Sequence, residues 1–162
     1  MVAEHGACGV RSVNNAASER RGPIGGTLDR MSELTPYLAV GDARAAIEWY
    51  AHVFGAVVTF DPIEMPDGRI GHVELDIDGA RLMMADAHPE LKCPAPVVGE
   101  GSPVTLHLTV ADVDAVTAAA RAGGAEIDRG PEENPGVGRV TVLRDPFGHR
   151  WFLNQRLPAA AG

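Results

Sequence analysis

The stretch TPYLAVGD at residues 35–42 is repeated 70 positions further on, as TLHLTVAD at residues 105–112. Both copies alternate in the way that indicates a strand, and both end on an aspartate that is suited to cap a helix. The helices that follow are predicted at Ala43–Phe54 and Val113–Ala122, and glycine ends each of them. This order of strand, cap and helix, met twice, indicates a duplicated unit.

Three further strands are predicted after each helix. They are residues 56–60, 70–77 and 81–85 in the first copy and residues 125–128, 139–144 and 149–154 in the second. A stretch rich in Pro, Gly and Glu after residue 128 is expected to form a loop. Each copy is therefore a βαβββ module whose helix covers one face of its sheet. The predicted fold class is α+β, with two tandem βαβββ modules forming a cupped, open barrel of mixed sheets whose concave side suits a small molecule.

The patterned sequence forms one predicted domain with unpatterned ends. Residues 1–32 lack apolar periodicity and are expected to be a disordered N-terminal extension, and residues 158–162 a flexible tail. The domain covers residues 33–157, with module one at 34–86, a Pro- and Gly-containing linker at 87–103 and module two at 104–157.

The composition narrows the class of protein and of partner. The formal net charge of -8 disfavours nucleic acid, whose phosphates need a basic surface. No apolar run approaches the roughly 18 residues of a membrane span, so no membrane partner is expected. The two cysteines, Cys8 and Cys93, do not make a disulfide framework, and with no apparent secretory signal they favour a cytoplasmic protein.

Several motifs resemble one protein family. LTPYLAVGD at 34–42, AIEWY at 46–50 and VFGA at 53–56 resemble the opening of a glyoxalase/bleomycin resistance/dioxygenase domain of the vicinal-oxygen-chelate superfamily. GHVEL at 71–75, RLMMAD at 81–86 and DPFGHRW at 145–151 resemble its PhnB-like branch. The resemblance implies the fold predicted above, and it also implies a homodimer, because relatives with two modules often build pockets between subunits. It implies no single reaction, since the scaffold serves isomerases, epimerases, dioxygenases, thiol transferases and drug-binding proteins.

The resemblance also implies four metal-ligand positions, on the first and last strands of each module. In this chain they hold Thr35, Met83 or Met84, Thr105 and Phe152. Neutral hydroxyls, a thioether and a phenyl ring are poor ligands for Zn, Ni, Fe or Mn. We therefore predict no metal at the usual site and no cofactor.

Period-2 alternation places Tyr37, His72, Glu74 and His107 on the open faces of the two sheets, as candidate ligand-binding residues. Met83 and Phe152 join them because they stand at metal-ligand positions that the resemblance implies, where a thioether and a phenyl ring suit an apolar ligand. A displaced metal site of His72, Glu74 and His107 is an alternative, although polar residues on a half-wetted face are the simpler interpretation. Arg144 and Arg150 are expected at a solvated edge, with binding of an anionic substrate as the alternative.

Three functions follow as hypotheses. The first is a small-molecule-binding protein with a largely metal-free, partly apolar pocket, similar to relatives that sequester antibiotics. The second is a lyase, isomerase or dioxygenase that uses a displaced metal, or acid and base groups, around His72, Glu74 and His107. The third is an interaction module whose concave side has no ligand.

Overall fold

A computed structural model describes residues 33–155 of the chain. The order is β1 (Tyr37–Val40), α1 (Ala43–Phe54), β2 (Val57–Glu64), β3 (Ile70–Ile77), β4 (Ala80–Asp86), a one-turn 3-10 helix (Pro89–Leu91), β5 (Thr105–Thr109), α2 (Val113–Ala122), β6 (Glu126–Asn134), β7 (Gly138–Arg144) and β8 (Arg150–Gln155). The predicted N-terminal extension and C-terminal tail lie outside the described residues. No helix within residues 33–155 is long and apolar enough to cross a membrane.

The strands form two four-stranded mixed sheets with the same topology. The first has the order β1-β4-β3-β2 and the second β5-β8-β7-β6. In each sheet the first strand runs parallel to the last, and the other neighbours are antiparallel. Tyr37 lies opposite Met83, and His107 lies opposite Phe152. The predicted duplication and the α+β class are confirmed.

Two side chains cap the N-terminus of each helix, and the internal repeat relates the caps of one module to those of the other. The side chain of Asp42 accepts the Ala45 N–H over 3.0 Å, as Asp112 does for Ala115 over 2.9 Å. A second acceptor comes from the end of the last strand of each module. Asp86 accepts the N–H of Ala43 over 2.7 Å, and Gln155 accepts the N–H of Val113 over 3.0 Å. These bonds satisfy amides that a helix N-terminus leaves without intrahelical partners.

One hydrophobic core serves both modules. It includes Val40, Tyr50 and Leu75 of the first module together with Leu143 and Leu153 of the second. Aromatic rings bridge the modules, with Phe54 of α1 lying 4.8 Å, centroid to centroid, from Trp151 of β8. The helix-facing sides of both sheets therefore meet in a single interior, and the opposite sides face away from it.

A buried carboxylate, Asp145, ties the two modules together. Its Oδ2 accepts the Tyr50 hydroxyl over 2.7 Å and the Trp151 Nε1–H over 2.8 Å. Its Oδ1 accepts the backbone N–H groups of Phe147 and His149 over 3.0 and 2.9 Å. Burial, and then the negative charge of Asp145, raise the pKa of the Tyr50 phenol well above its ordinary value, so Tyr50 stays a hydrogen donor.

Three segments differ from the sequence prediction. The predicted loop after residue 128 is wrong, because β6 continues to Asn134 through a register shift and a cis Gly130–Pro131 peptide bond. β2 likewise runs on to Glu64 through Pro62. Both are edge strands, where a proline without an N–H costs no ladder hydrogen bond. The segment predicted as a plain linker contains a 3-10 turn and a bridge between His88 and Cys93.

Candidate open-face binding site

Each sheet has one open face, on the side away from its helix. The first face, on the module-one sheet, includes Tyr37, Phe60, His72, Glu74, Arg81 and Met83. The second face, on the module-two sheet, consists of Thr105, His107, Asp128, Arg144, Arg150 and Phe152. Strand alternation puts each set on one side, because the residues between them, such as Leu75 and Leu153, are buried in the core.

A hydrogen-bonded chain crosses the first face. The Tyr37 hydroxyl lies 3.0 Å from His72 Nδ1 and 3.2 Å from the carbonyl oxygen of Gly71, and His72 Nε2 lies 3.4 Å from Glu74 Oε1. With neutral His72 protonated on Nε2, Tyr37 donates to Nδ1 and the ring donates to Glu74. With both nitrogens protonated, Nδ1–H donates to Tyr37, which turns its own hydrogen to Gly71. The surroundings therefore satisfy His72 in either protonation state.

Apolar groups flank this chain. The Phe60 ring meets His72 edge-on at 5.6 Å between centroids, and Met83 lies beside Tyr37 and Glu74 in the strand register. Arg81 approaches Glu74 with its Nε at 3.7 Å from Oε2. The first face thus combines hydrogen-bonding groups with aromatic and thioether surface, which is the mixture found in small-molecule sites.

The second face has an aromatic part and a charged part. The rings of His107 and Phe152 stack at 5.4 Å with an interplanar angle of 18°. Arg144 and Arg150 lie directly opposite each other on β7 and β8, and Asp128 Oδ2 lies 3.3 Å from Arg144 Nε and 3.6 Å from Arg150 Nε. Arg150 also donates to the Thr105 hydroxyl over 2.6 Å.

Two clefts lie along the seam between the edge strands β1 and β5. The larger, of about 300 Å³, runs from Pro36 to Leu106 under the prolines Pro96 and Pro103, and the smaller is about 100 Å³. The internal repeat relates them, since Pro36-Tyr-Leu38 lines the first as Leu106-His-Leu108 lines the second. Neither cleft is lined by the open-face residues His72, Glu74, Met83 or Phe152.

The two open faces adjoin at this seam, where Tyr37 and Arg150 line the larger cleft and Arg81 and His107 line the smaller one. Among residues 33–155, no hydrogen bond, ion pair or ring contact joins His72, Glu74 or Met83 to His107 or Phe152. The same residues contain no group of three or more His, Cys, Asp or Glu side chains that is able to hold a metal ion. Within the described residues, His72 and Glu74 lie on the first sheet and His107 on the second, and they are not brought together as a metal-holding group.

A family model of the Glyoxalase/Bleomycin resistance protein/Dioxygenase superfamily matches residues 27–153. The chain belongs to this superfamily. The uncharacterized protein Rv0887c of Mycobacterium tuberculosis (strain ATCC 25618 / H37Rv) is 40% identical over 125 residues, which cover 75% of this chain and 73% of that protein.

Several solved structures have the same fold as this chain. TioX from Micromonospora sp. ML1 is 28% identical with a TM-score of 0.57, over 78% of this chain and 99% of TioX. TnmS3, an antibiotic binding protein from Streptomyces sp. CB03234, is 24% identical with a TM-score of 0.56, over 79% of this chain and 98% of TnmS3. A PhnB protein from Bacillus cereus shares the fold at 18% identity and a TM-score of 0.60, over 77% of this chain and 100% of that chain.

The superfamily's metal positions do not fit a metal in this chain. Met84 is fully buried on the helix side, so Met83 is the residue of that pair on the open face. Its neighbour across the ladder is Tyr37, while Thr105 bonds to Arg150 and Phe152 stacks on His107. Divalent ions need several anionic or imidazole donors at fixed geometry, and these side chains do not supply them.

Sequence reasoning missed several residues of these faces. Phe60 and Arg81 reach the first face because Phe60 pairs with Glu74 and Arg81 pairs with Asp76. Only the strand register shows these pairings, and β2 contains register shifts that period 2 does not predict. The pairing of Arg144 with Arg150 had a signal in the sequence, since both flank the turn DPFGH at equal distance.

Proposed function

We propose that the protein binds a small organic molecule, without a bound metal, in a pocket made from the first face of one chain and the second face of another. The observation that carries this proposal is that each face presents aromatic and polar side chains on the side away from the core, where they stay partly or fully exposed. Two-fold pairing of chains brings each first face against a second face, and the result is a homodimer with two equivalent pockets.

The composition of the faces supports a ligand that is partly aromatic. Phe60, Phe152 and the two imidazoles offer ring surfaces, and Met83 adds a flexible thioether that adapts to different shapes. TnmS3 carries an antibiotic-binding role on this fold, although its likeness to this chain is one of fold alone. We expect sequestration of a natural or toxic small molecule, and with only two cysteines in the sequence we expect it in the cytoplasm.

The first test is a thermal-shift screen of aromatic and amphiphilic compounds on chelator-treated protein, with metal content measured by mass spectrometry. A ligand at 100 times its Kd stabilises the native state by about 2.7 kcal/mol, so binders raise the melting temperature clearly. Sedimentation or light scattering should give the mass of a dimer. Binding that requires added metal would contradict the metal-free pocket, and a screen with no binder in either state would contradict the function.

A mixing experiment tests how the pocket is built. His72→Ala damages the first face and Phe152→Ala the second, so each variant alone contains only damaged pockets. In a mixed dimer, one pocket combines two damaged faces and the other combines two intact faces. Mixing after partial unfolding should therefore restore binding to about half of the pockets in mixed dimers. The control mixes His72→Ala with Met83→Ala, which damage the same face and should restore nothing. No recovery in the first mixture would place the pocket within one chain.

The hydrogen-bonded chain on the first face favours a second candidate, which is acid–base catalysis on the bound molecule. Tyr37, His72 and Glu74 lie within hydrogen-bond reach of one another, and His72 is satisfied in both protonation states. Compounds that bind should be incubated with protein and followed by mass spectrometry for conversion. If the protein is a catalyst, a product should form, His72→Ala should abolish it and Tyr37→Phe should slow its formation. Binding without any product would rule out catalysis and leave binding as the function.

A further inference from the structure

We infer that the second face holds a carboxylate, so that the ligand class is an aromatic acid whose anionic group lies between Arg144 and Arg150. This inference rests on the proposed function, because it names the chemistry of the ligand in that pocket. It starts from the position of two cations on one open face and from how incompletely the chain itself pairs them.

The two guanidinium groups are held side by side. Arg144 and Arg150 are direct cross-strand partners on β7 and β8, and both project from the open face. Like charges directly opposite each other in a sheet are destabilising unless an anion lies between them. The pair therefore requires negative charge, from the chain or from a ligand.

The chain places two carboxylates beside this pair, but neither makes a hydrogen bond to either arginine. Asp128 serves both arginines with one oxygen, at 3.3 Å from Arg144 Nε and 3.6 Å from Arg150 Nε. Glu126 lies 3.8 Å from Arg144 Nη1, and its side chain is 65% exposed, so solvent screens it. Within residues 33–155, Arg144 Nε is the buried side-chain nitrogen without a hydrogen-bond partner, because its N–H does not point at the nearby Asp128 oxygen.

Other arginines of the chain show what a complete pairing looks like. Arg69 donates to Asp67 over 2.8 Å and to Glu90 over 2.7 Å. Arg139 makes a two-pronged contact with both carboxylate oxygens of Asp114. Arg144 and Arg150 make no such bidentate contact in the described part of the chain. A carboxylate bound through both oxygens is the partner that a guanidinium fits best.

The aromatic part of the face determines how far the ligand's ring lies from its carboxylate. Phe152 follows Arg150 by two residues on the same strand and face, a separation of roughly 6.6 Å along β8. His107 stacks on Phe152 and is exposed. A ring lying on this stack therefore has its anionic group about 6–7 Å away, between the arginines.

Two probes differ only in charge. 4-Phenylbutanoate, whose extended chain suits this separation, is compared with 4-phenylbutanamide by calorimetry or by NMR titration at low ionic strength. In wild-type protein the acid should bind at least tenfold more tightly than the amide, and added salt should reduce that difference. Arg150→Gln and Arg144→Gln should each weaken binding of the acid about tenfold and of the amide less than twofold.

Three further variants separate the possible causes. Arg150→Lys keeps the charge but not the bidentate geometry, so its preference for the acid should fall between those of wild-type protein and Arg150→Gln, which a merely structural loss would not produce. Phe152→Ala should weaken the acid and the amide equally. Arg139→Gln, on the helix side of β7, is the matched control and should leave the ratio unchanged, and melting temperatures confirm that each variant folds.

The outcomes distinguish the two proposals. Equal affinity for acid and amide in wild-type protein, or a preference that survives in both glutamine variants, would overturn this inference and leave the binding function intact. Binders without an acidic group, found while neither probe binds, would overturn it in the same way. No binder of any class would instead remove the proposed function.

Discussion

The hydrogen bond between Tyr50 and Asp145 joins helix α1 of the first module to the β7–β8 turn of the second, and removing it should destabilise the whole fold. The Tyr50 hydroxyl donates to Asp145 Oδ2 over 2.7 Å, and both residues are buried. Tyr50→Phe deletes this one oxygen and keeps the ring that packs on Phe54 and Trp151. The substitution therefore tests the bond with little change in packing.

The structure sets the expected magnitude. A hydrogen bond to a charged group contributes about 1.5–3 kcal/mol to stability. Asp145 keeps its bonds from Trp151, Phe147 and His149, so the carboxylate is not left unpaired. We therefore expect the lower part of that range, about 1.5–2 kcal/mol. In a domain of this size, that loss lowers the melting temperature by about 5–10 °C.

Urea unfolding followed by circular dichroism measures this change, at one fixed protein concentration because a dimer's stability depends on concentration. Tyr37→Phe is the matched control, since its hydroxyl lies half-buried on the first face, and it should cost less than about 1 kcal/mol. A change below about 0.5 kcal/mol for Tyr50→Phe, the range of ordinary surface substitutions, would refute the argument that this bond couples the modules.

Two more predictions concern the caps and the pH dependence. Asp86→Asn should destabilise the protein by about 2 kcal/mol in urea unfolding. Asp86 accepts hydrogen bonds from two buried N–H groups, of Ala43 over 2.7 Å and of Ile70 over 2.6 Å, one with each carboxylate oxygen, and an amide has only one oxygen that accepts. Gln155→Ala loses one such hydrogen bond and should lower the free energy of unfolding by about 1 kcal/mol. An equal loss of stability in Asp86→Asn and Gln155→Ala would show that the charge of Asp86 is irrelevant. The raised pKa of Tyr50 gives the folded state a stability that is fully present below the pKa of the unfolded chain, which is near 10. This stability is lost as the pH rises from there towards the folded pKa, so the free energy of unfolding should fall by up to about 1.4 kcal/mol per pH unit above about 10. Unfolding curves at pH 9 to 11 check this, and Tyr50→Phe with the same slope as wild type would contradict it.

The sequence was most informative where local chemistry determines the structure. Both helices end where predicted, because an aspartate before and a glycine after each helix leave little choice. The start of β6 is predicted as a strand, but its continuation after residue 128 is predicted as a loop because Pro131 and the glycine before it suggest a break. A proline is tolerated there because β6 is an edge strand. Period 2 predicts that His72 and His107 lie on open faces, but it carries no information on which face meets which. That choice depends on how two modules pack, and the same alternation suits either arrangement.

The repeat itself shows where the two modules have diverged. The helix caps correspond in both, since Asp42 matches Asp112 and the acceptor at Asp86 returns as Gln155. The open faces do not correspond, because the ladder pair Tyr37 and Met83 is replaced by His107 and Phe152.

Two copies of one binding surface would present the same groups twice. Here one face offers a carboxylate and a phenol hydrogen-bonded to an imidazole, while the other offers a ring stack and two arginines. Faces that differ in this way offer different groups to a ligand, as the proposed pocket between two chains requires. A ligand that meets both therefore experiences an asymmetric pocket, and the mixing of first-face and second-face variants is the experiment that separates this arrangement from two independent sites.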